Sequence, residues 1–213
     1  MEFLALLWDI AVHLDKHLAA LLAQHGVWVY AILFLIIFAE TGFVVTPFLP
    51  GDSLLFVAGA LCGAGSMDIW VLNGTLIAAA VLGNSVNYSI GRYLGPKVFH
   101  WENSRFFNKA ALMKTHVFYE RHGGKTLVIT RFIPILRTFA PFVAGIGEMT
   151  YVRFQAYNIG GAVLWVGSLS VAGYLFGNLP IIQNNLSLVI LAIIGVSTLP
   201  AAIAYLRHRR APH

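Results

Sequence analysis

The sequence predicts an all-α integral membrane protein: an inverted repeat of two re-entrant helical hairpins with about four spanning helices. Three observations lead there. Of 213 residues, 58% are hydrophobic and 11% charged, whereas a soluble domain carries about 25% charged residues. Apolar segments recur at 18–39, 43–64, 69–91, 126–147, 155–177 and 186–206, near the ~20 residues that a spanning helix needs. Two of them, 43–64 and 126–147, are broken by proline and glycine and carry or adjoin charged residues.

The elements follow in order. The N-terminal stretch has Glu2 and Asp9 where a secretory signal would be positive, so it is expected to stay on the mature chain as an amphipathic interfacial helix. Segment 18–39 spans if it starts near Leu18 and tolerates Gln24, His25 and Gly26. Segment 43–64, opened by Pro47, Pro50 and Gly51, reads as a hairpin over about 40–65; read as a full span, it would flip the N-terminus outward. Segment 69–91 is long enough to span and turns polar through Asn84, Asn87 and Tyr88.

The 92–125 linker carries seven Lys or Arg against Glu102 and Glu120, which places it on the cytoplasmic side. Within it, Phe106, Ala110, Met113, Val117 and Phe118 recur at helical spacing, the pattern of an amphipathic interfacial helix. The tail, 207–213, holds Arg207, Arg209 and Arg210 and is expected in the cytoplasm too. Counting back from it through 186–206 and 155–177 leaves 126–147 entering and leaving on one face. Such a hairpin needs breaks, and Pro134, Pro141 and Gly145 supply them. The organisation expected is one membrane domain, 1–213, with halves 1–91 and 126–206 of opposite polarity.

Four ionisable residues in or beside these apolar stretches mark the candidate site: Glu40, Asp52, Arg131 and Arg137. A charge at the bilayer centre costs about 2.5–3.5 kcal/mol on insertion scales, so such residues face one another, a cavity or a ligand. Placed alike in two halves on proline-broken segments, they point to a transporter site. Arginine keeps its charge when buried, and its planar fork matches a phosphate. The plain alternative is that each arginine neutralises Glu40 or Asp52. A partly desolvated carboxylate can also carry a proton; Glu40 could instead sit at the interface, and Asp52 could cap a half-helix. Prolines and glycines that stop helices at mid-membrane would leave backbone N–H groups aimed at an anion.

The run Glu40-Thr-Gly-Phe-Val-Val-Thr-Pro-Phe-Leu-Pro-Gly-Asp-Ser-Leu-Leu-Phe56 resembles the first hairpin of the DedA family, the VTT or SNARE-associated type. The run from Gly123 to Gly145, with its R-F-x-P-x-x-R-T-x-x-P pattern, resembles the second, and Asn87-Tyr88-x-x-Gly91-Arg92 also fits. The resemblance covers nearly the whole chain. It implies a bacterial inner-membrane protein with two opposed re-entrant hairpins that moves lipids across the bilayer. Bacterial members are associated with recycling undecaprenyl phosphate, with phospholipid distribution and with the proton motive force. The family's functional acids map onto Glu40 and Asp52, its functional arginines onto Arg131 and Arg137.

The function expected is therefore a proton-coupled flippase for an anionic lipid, a polyprenyl phosphate or a phospholipid. Arg131 and Arg137 would bind the phosphate, and Glu40 and Asp52 would couple protons. A scramblase of broader specificity is the alternative, and a lipid phosphatase a more distant one: phosphatase chemistry wants a nucleophile or metal beside the arginines, and no histidine lies in either charged hairpin. The eight histidines lie in linkers, tails or segment edges and read as surface residues, so no metal and no cofactor is expected. The net charge of +5 acts as a topology signal rather than a nucleic-acid footprint. Cys62, the single cysteine, excludes an internal disulfide. The oligomeric state is left open.

Overall fold

A computed structural model describes residues 14–43, 51–99, 124–147 and 149–183, together with 185, 188–189, 192–193 and 195. The described residues form helices: α1 (Leu14–His25), α2 (Trp28–Gly42), α3 (Gly51–Gly63), α4 (Ile69–Phe99), α5 (Lys125–Thr130), α6 (Pro134–Ile146), α7 (Tyr151–Phe176) and α8 (Pro180–Gln183). Pro47 and Pro50, the interfacial helices expected near the N-terminus and in the linker, most of 186–206 and the basic tail lie outside the described residues.

Residues 69–94 of α4 and the whole of α7 are long and apolar enough to cross a membrane, at 26 residues each. That is about 39 Å of helix against a hydrocarbon core of about 30 Å. Both are largely apolar and bury amide and hydroxyl side chains among apolar ones. On α4 the buried stripe ends in Asn84, Asn87 and Tyr88, while Trp70, Val71, Leu82, Val86 and Ile90 are exposed. On α7, Asn158 and Ser170 are buried while Val152, Ile159, Val163, Leu164 and Leu175 are exposed. Polar groups inside and large apolar groups outside suit a lipid surround, since water would reverse the preference.

Two expectations change. Segment 18–39 is not one spanning helix: α1 stops at His25 and α2 starts at Trp28, because Gly26 takes φ +53°, a left-handed conformation that ends a helix and that glycine adopts without penalty. Helix α4 continues past 91 to Phe99, since side-chain apolarity marks what prefers lipid and not where backbone hydrogen bonding stops.

The chain divides into two compact units: Met1–Ile36, Phe48–Leu76 and Val166–His213 in the first, Ile37–Pro47 and Ile77–Trp165 in the second. In the first unit α1 packs on α3, and α3 meets the C-terminal part of α7 through glycine. A Cβ on Gly59 would strike the Ser170 carbonyl, and one on Gly173 that of Phe56. Small residues let backbones approach this closely, the packing mode that works without a hydrophobic drive between helices. Side chains add Ser170 Oγ donating to Asn73 Oδ1 at 2.8 Å and Asn178 Nδ2 donating to the Ala60 carbonyl at 3.0 Å.

In the second unit α5 and α6 follow one another across a three-residue break, Arg131–Ile133. Pro134 stands in the first turn of α6, where its missing N–H needs no helical acceptor. Pro141 and Gly145, expected as breaks, lie inside the same helix and do not interrupt it. Helix α6 runs against α4 at van der Waals limits: a Cβ on Gly145 would enter the Tyr88 carbonyl, and one on Gly91 that of Phe142.

Candidate functional site

The second unit brings three of the four intramembrane charges into its interior. Glu40, near the end of α2, is 1% exposed, and Arg131 and Arg137 are 2% exposed each. They are the buried charged residues among those described. Arg131 stands where α5 ends, its N–H bonded to the Val128 carbonyl at 3.3 Å. Arg137 is one turn into α6, its N–H bonded to the Ile133 carbonyl at 2.8 Å. The break at Pro134 thus allows two side chains that a straight helix would send to different faces both to be buried within the second unit.

Their surroundings differ. Arg137 Nη2 donates to Glu40 Oε1 at 2.6 Å, and its guanidinium carbon lies 4.5 Å over the Trp165 ring. Both contacts offset a positive charge, the carboxylate directly and the indole through its negative π face. Arg131 Nη2 donates to the backbone carbonyl of Asn158 at 3.1 Å and also to Asn158 Oδ1. Its Nη1 is buried with no hydrogen-bond partner among the described residues. A stranded buried N–H costs about 1–3 kcal/mol, more for a charged group, so it calls for a functional account.

Neutral polar residues hold this arrangement. Asn87 Nδ2 donates to the Thr41 carbonyl at 3.2 Å and the Thr138 carbonyl at 2.8 Å, tying α4 to the end of α2 and to α6. Asn84 Nδ2 donates to Asn158 Oδ1 at 3.1 Å. Asn158 Nδ2 donates to the Val81 carbonyl at 3.0 Å and to Gln155 Oε1 at 3.0 Å. Gln155 Nε2 in turn donates to Ser85 Oγ at 2.7 Å. Asn84 and Asn87 thus bond one helix to another. Tyr88 stacks on Phe154 at 4.3 Å between centroids and donates its hydroxyl to the Met149 carbonyl.

Asp52 belongs to the first unit. It is half-buried and lies in the first turn of α3, inside the helix rather than as its cap, where its charge meets the positive end of the helix dipole. Cys62 lies in the same helix, buried and free, ten residues further on and so about 15 Å along the axis. His17 and His25 are exposed. Among the described residues, no three His, Cys, Asp or Glu gather as a metal site would need.

The sequence reading missed Asn158, Gln155, Ser85 and Trp165. One signal was available. Phe154, Asn158, Ala162 and Trp165 share a face of a segment long enough to span, and an amide on that stripe calls for a partner inside the protein.

Helices with apolar exteriors around a buried acid and two buried arginines define a helical membrane protein with an ionised interior. Residues 49–175 match the VTT domain family. The chain is 55% identical over 213 residues to Protein DedA of Escherichia coli K12, covering 99% of this chain and 97% of that protein. An uncharacterized membrane protein of Mycobacterium leprae is 47% identical over 169 residues, 79% of this chain and 76% of that one. Inner membrane protein YghB of Escherichia coli K12 is 34% identical over 191 residues, 86% of this chain and 82% of that one. The chain belongs to the DedA family of VTT-domain membrane proteins. No solved structure matches it.

Proposed function

We propose that this protein carries a phosphate-bearing lipid, undecaprenyl phosphate in the first instance, across the bacterial cytoplasmic membrane, coupled to protons, and that it acts as a transporter rather than an enzyme. One observation carries the reading. In the second unit one buried carboxylate stands against two buried guanidinium groups, and the arginine that is not paired with it keeps Nη1 unpartnered among the described residues. An excess positive charge inside an apolar body invites an anion, and a lipid phosphate supplies one while its tail stays in the bilayer.

The roles follow from the contacts. Arg131 offers the fork to the phosphate. Arg137 joins when Glu40 takes up a proton and loosens its 2.6 Å contact, so proton uptake frees a second phosphate ligand. Asp52 enters this scheme through the family resemblance alone. The two re-entrant hairpins of opposite polarity, about 40–65 and 126–147, remain part of the proposal, as do a cytoplasmic C-terminus and the cytoplasmic side for the 92–125 linker. In support, α3 and α6 have 13 residues each and α5 has six, about 20 Å and 9 Å, each short of a bilayer core.

Proteoliposomes holding the purified protein test this directly. Flux of undecaprenyl phosphate should fall to background with Arg131→Ala at unchanged folding; undiminished flux refutes the role. With Glu40→Gln, residual flux should no longer respond to an imposed pH gradient. Equal flux of phosphatidylglycerol would turn the assignment to a broader scramblase, and release of inorganic phosphate would turn it to an enzyme.

A further inference from the structure

We infer that Asn158 is a specificity-determining positioning residue: its neutral carboxamide holds Arg131 in place without neutralising it and so reserves that charge for a lipid phosphate. The inference rests on the reading of Arg131 as the phosphate ligand and goes beyond it, since it assigns what keeps the arginine available.

The geometry is specific. Asn158 is 1% exposed and presents two oxygens, its backbone carbonyl and Oδ1, to the same Arg131 nitrogen. Oδ1 also accepts from Asn84 Nδ2 at 3.1 Å, so the amide is oriented from the α4 side. Its own Nδ2 donates to the Val81 carbonyl and Gln155 Oε1, both at 3.0 Å, which fixes which end of the carboxamide faces the arginine. Gly161, one turn further along α7, leaves room for the shaft of Arg131: a Cβ there would stand 3.0 Å from both Cδ and Nε. One nitrogen of the guanidinium, Nη2, is therefore clamped, and the other, Nη1, is buried without a hydrogen bond among the described residues.

A carboxylate at this position would keep the oxygen acceptors and add a negative charge, at the loss of the two hydrogen bonds that Nδ2 donates. Asparagine does the holding and leaves the charge unspent. Nearby Arg137 shows the other solution, a carboxylate partner at 2.6 Å.

The test compares full-length wild type, Arg131→Ala, Asn158→Asp and Asn158→Ala in detergent, reading undecaprenyl phosphate binding against undecaprenol as the uncharged control, with thermal unfolding of the lipid-free proteins alongside. Wild type should bind the phosphate lipid at least about tenfold more tightly than Arg131→Ala; if the two bind alike, the function reading itself fails. Given that difference, Asn158→Asp should bind as weakly as Arg131→Ala, because its carboxylate neutralises the arginine that the phosphate would meet. Asn158→Ala should lose less binding, about threefold, and unfold at a lower temperature. A packing role would produce the reverse order, the closer-shaped aspartate binding better than alanine. That order overturns the inference, as does wild-type binding by both variants. Failure of Asn158→Asp to fold where Asn158→Ala folds overturns it too, and failure of both assigns Asn158 to structure alone.

Discussion

Arg131 and Arg137 are six residues apart in sequence and equally buried, yet the protein accommodates them in opposite ways. Arg137 is compensated by Glu40 at 2.6 Å and by the Trp165 ring at 4.5 Å. Arg131 is held by amide oxygens of a single asparagine. The first arrangement sets the positive charge against a carboxylate and an aromatic ring. The second sets the positive charge against neutral oxygens alone among the described residues, which is unfavourable for a buried charge. A buried ion pair is weak evidence for stability, because desolvation consumes much of its Coulomb energy, but breaking one from a single side is expensive.

That asymmetry gives the two arginines different stability signatures. Arg137→Met leaves the Glu40 carboxylate buried without its arginine and should destabilise the detergent-solubilised protein by about 3–5 kcal/mol in denaturant unfolding. Adding Glu40→Leu should return most of that loss; no recovery would show that the pair is not the source. Trp165→Leu removes the ring over Arg137 and leaves a cavity, for an expected loss of about 2–4 kcal/mol. Arg131→Met should behave differently, with stability within about 1 kcal/mol of wild type or above it, because an uncompensated buried charge is gone. A loss matching that of Arg137→Met would erase the distinction between the two sites.

The smallest stability effect belongs to Gly161→Ala. Helix propensity favours alanine by about 1 kcal/mol, while the new methyl crowds the Arg131 side chain at 3.0 Å. Net stability should move by less than about 1 kcal/mol, but lipid flux should drop several-fold because the guanidinium is displaced. Unchanged flux would mean that the position of Arg131 tolerates a shift of that size.

The first unit offers a quieter contrast. It carries Asp52 half-buried in the first turn of α3 and is knit by close glycine contacts at Gly59 and Gly173. The second unit packs as tightly, with Gly91 and Gly145 against backbone carbonyls, so it is the buried charges and not the packing mode that set it apart.

Membrane class, the apolar helices and the four charges were all legible in the chain. A lipid-facing helix must be apolar, and a charge inside one must have a reason, so both leave plain compositional marks. The helix break at Pro134 was legible for the same kind of local reason: proline cannot continue a hydrogen-bonded turn with its predecessors. Gly26 was ambiguous, because a glycine inside an apolar run is tolerated as often as it terminates, and only its positive φ decided for termination. Which acid belongs with which arginine was beyond the sequence. Glu40 and Arg137 are far apart along the chain, and their pairing depends on how α2 and α6 lie against α4. The role of Asn158 was hidden for the same reason: a lone amide in a long apolar helix announces that it needs a partner, and tertiary packing alone names Arg131 as that partner.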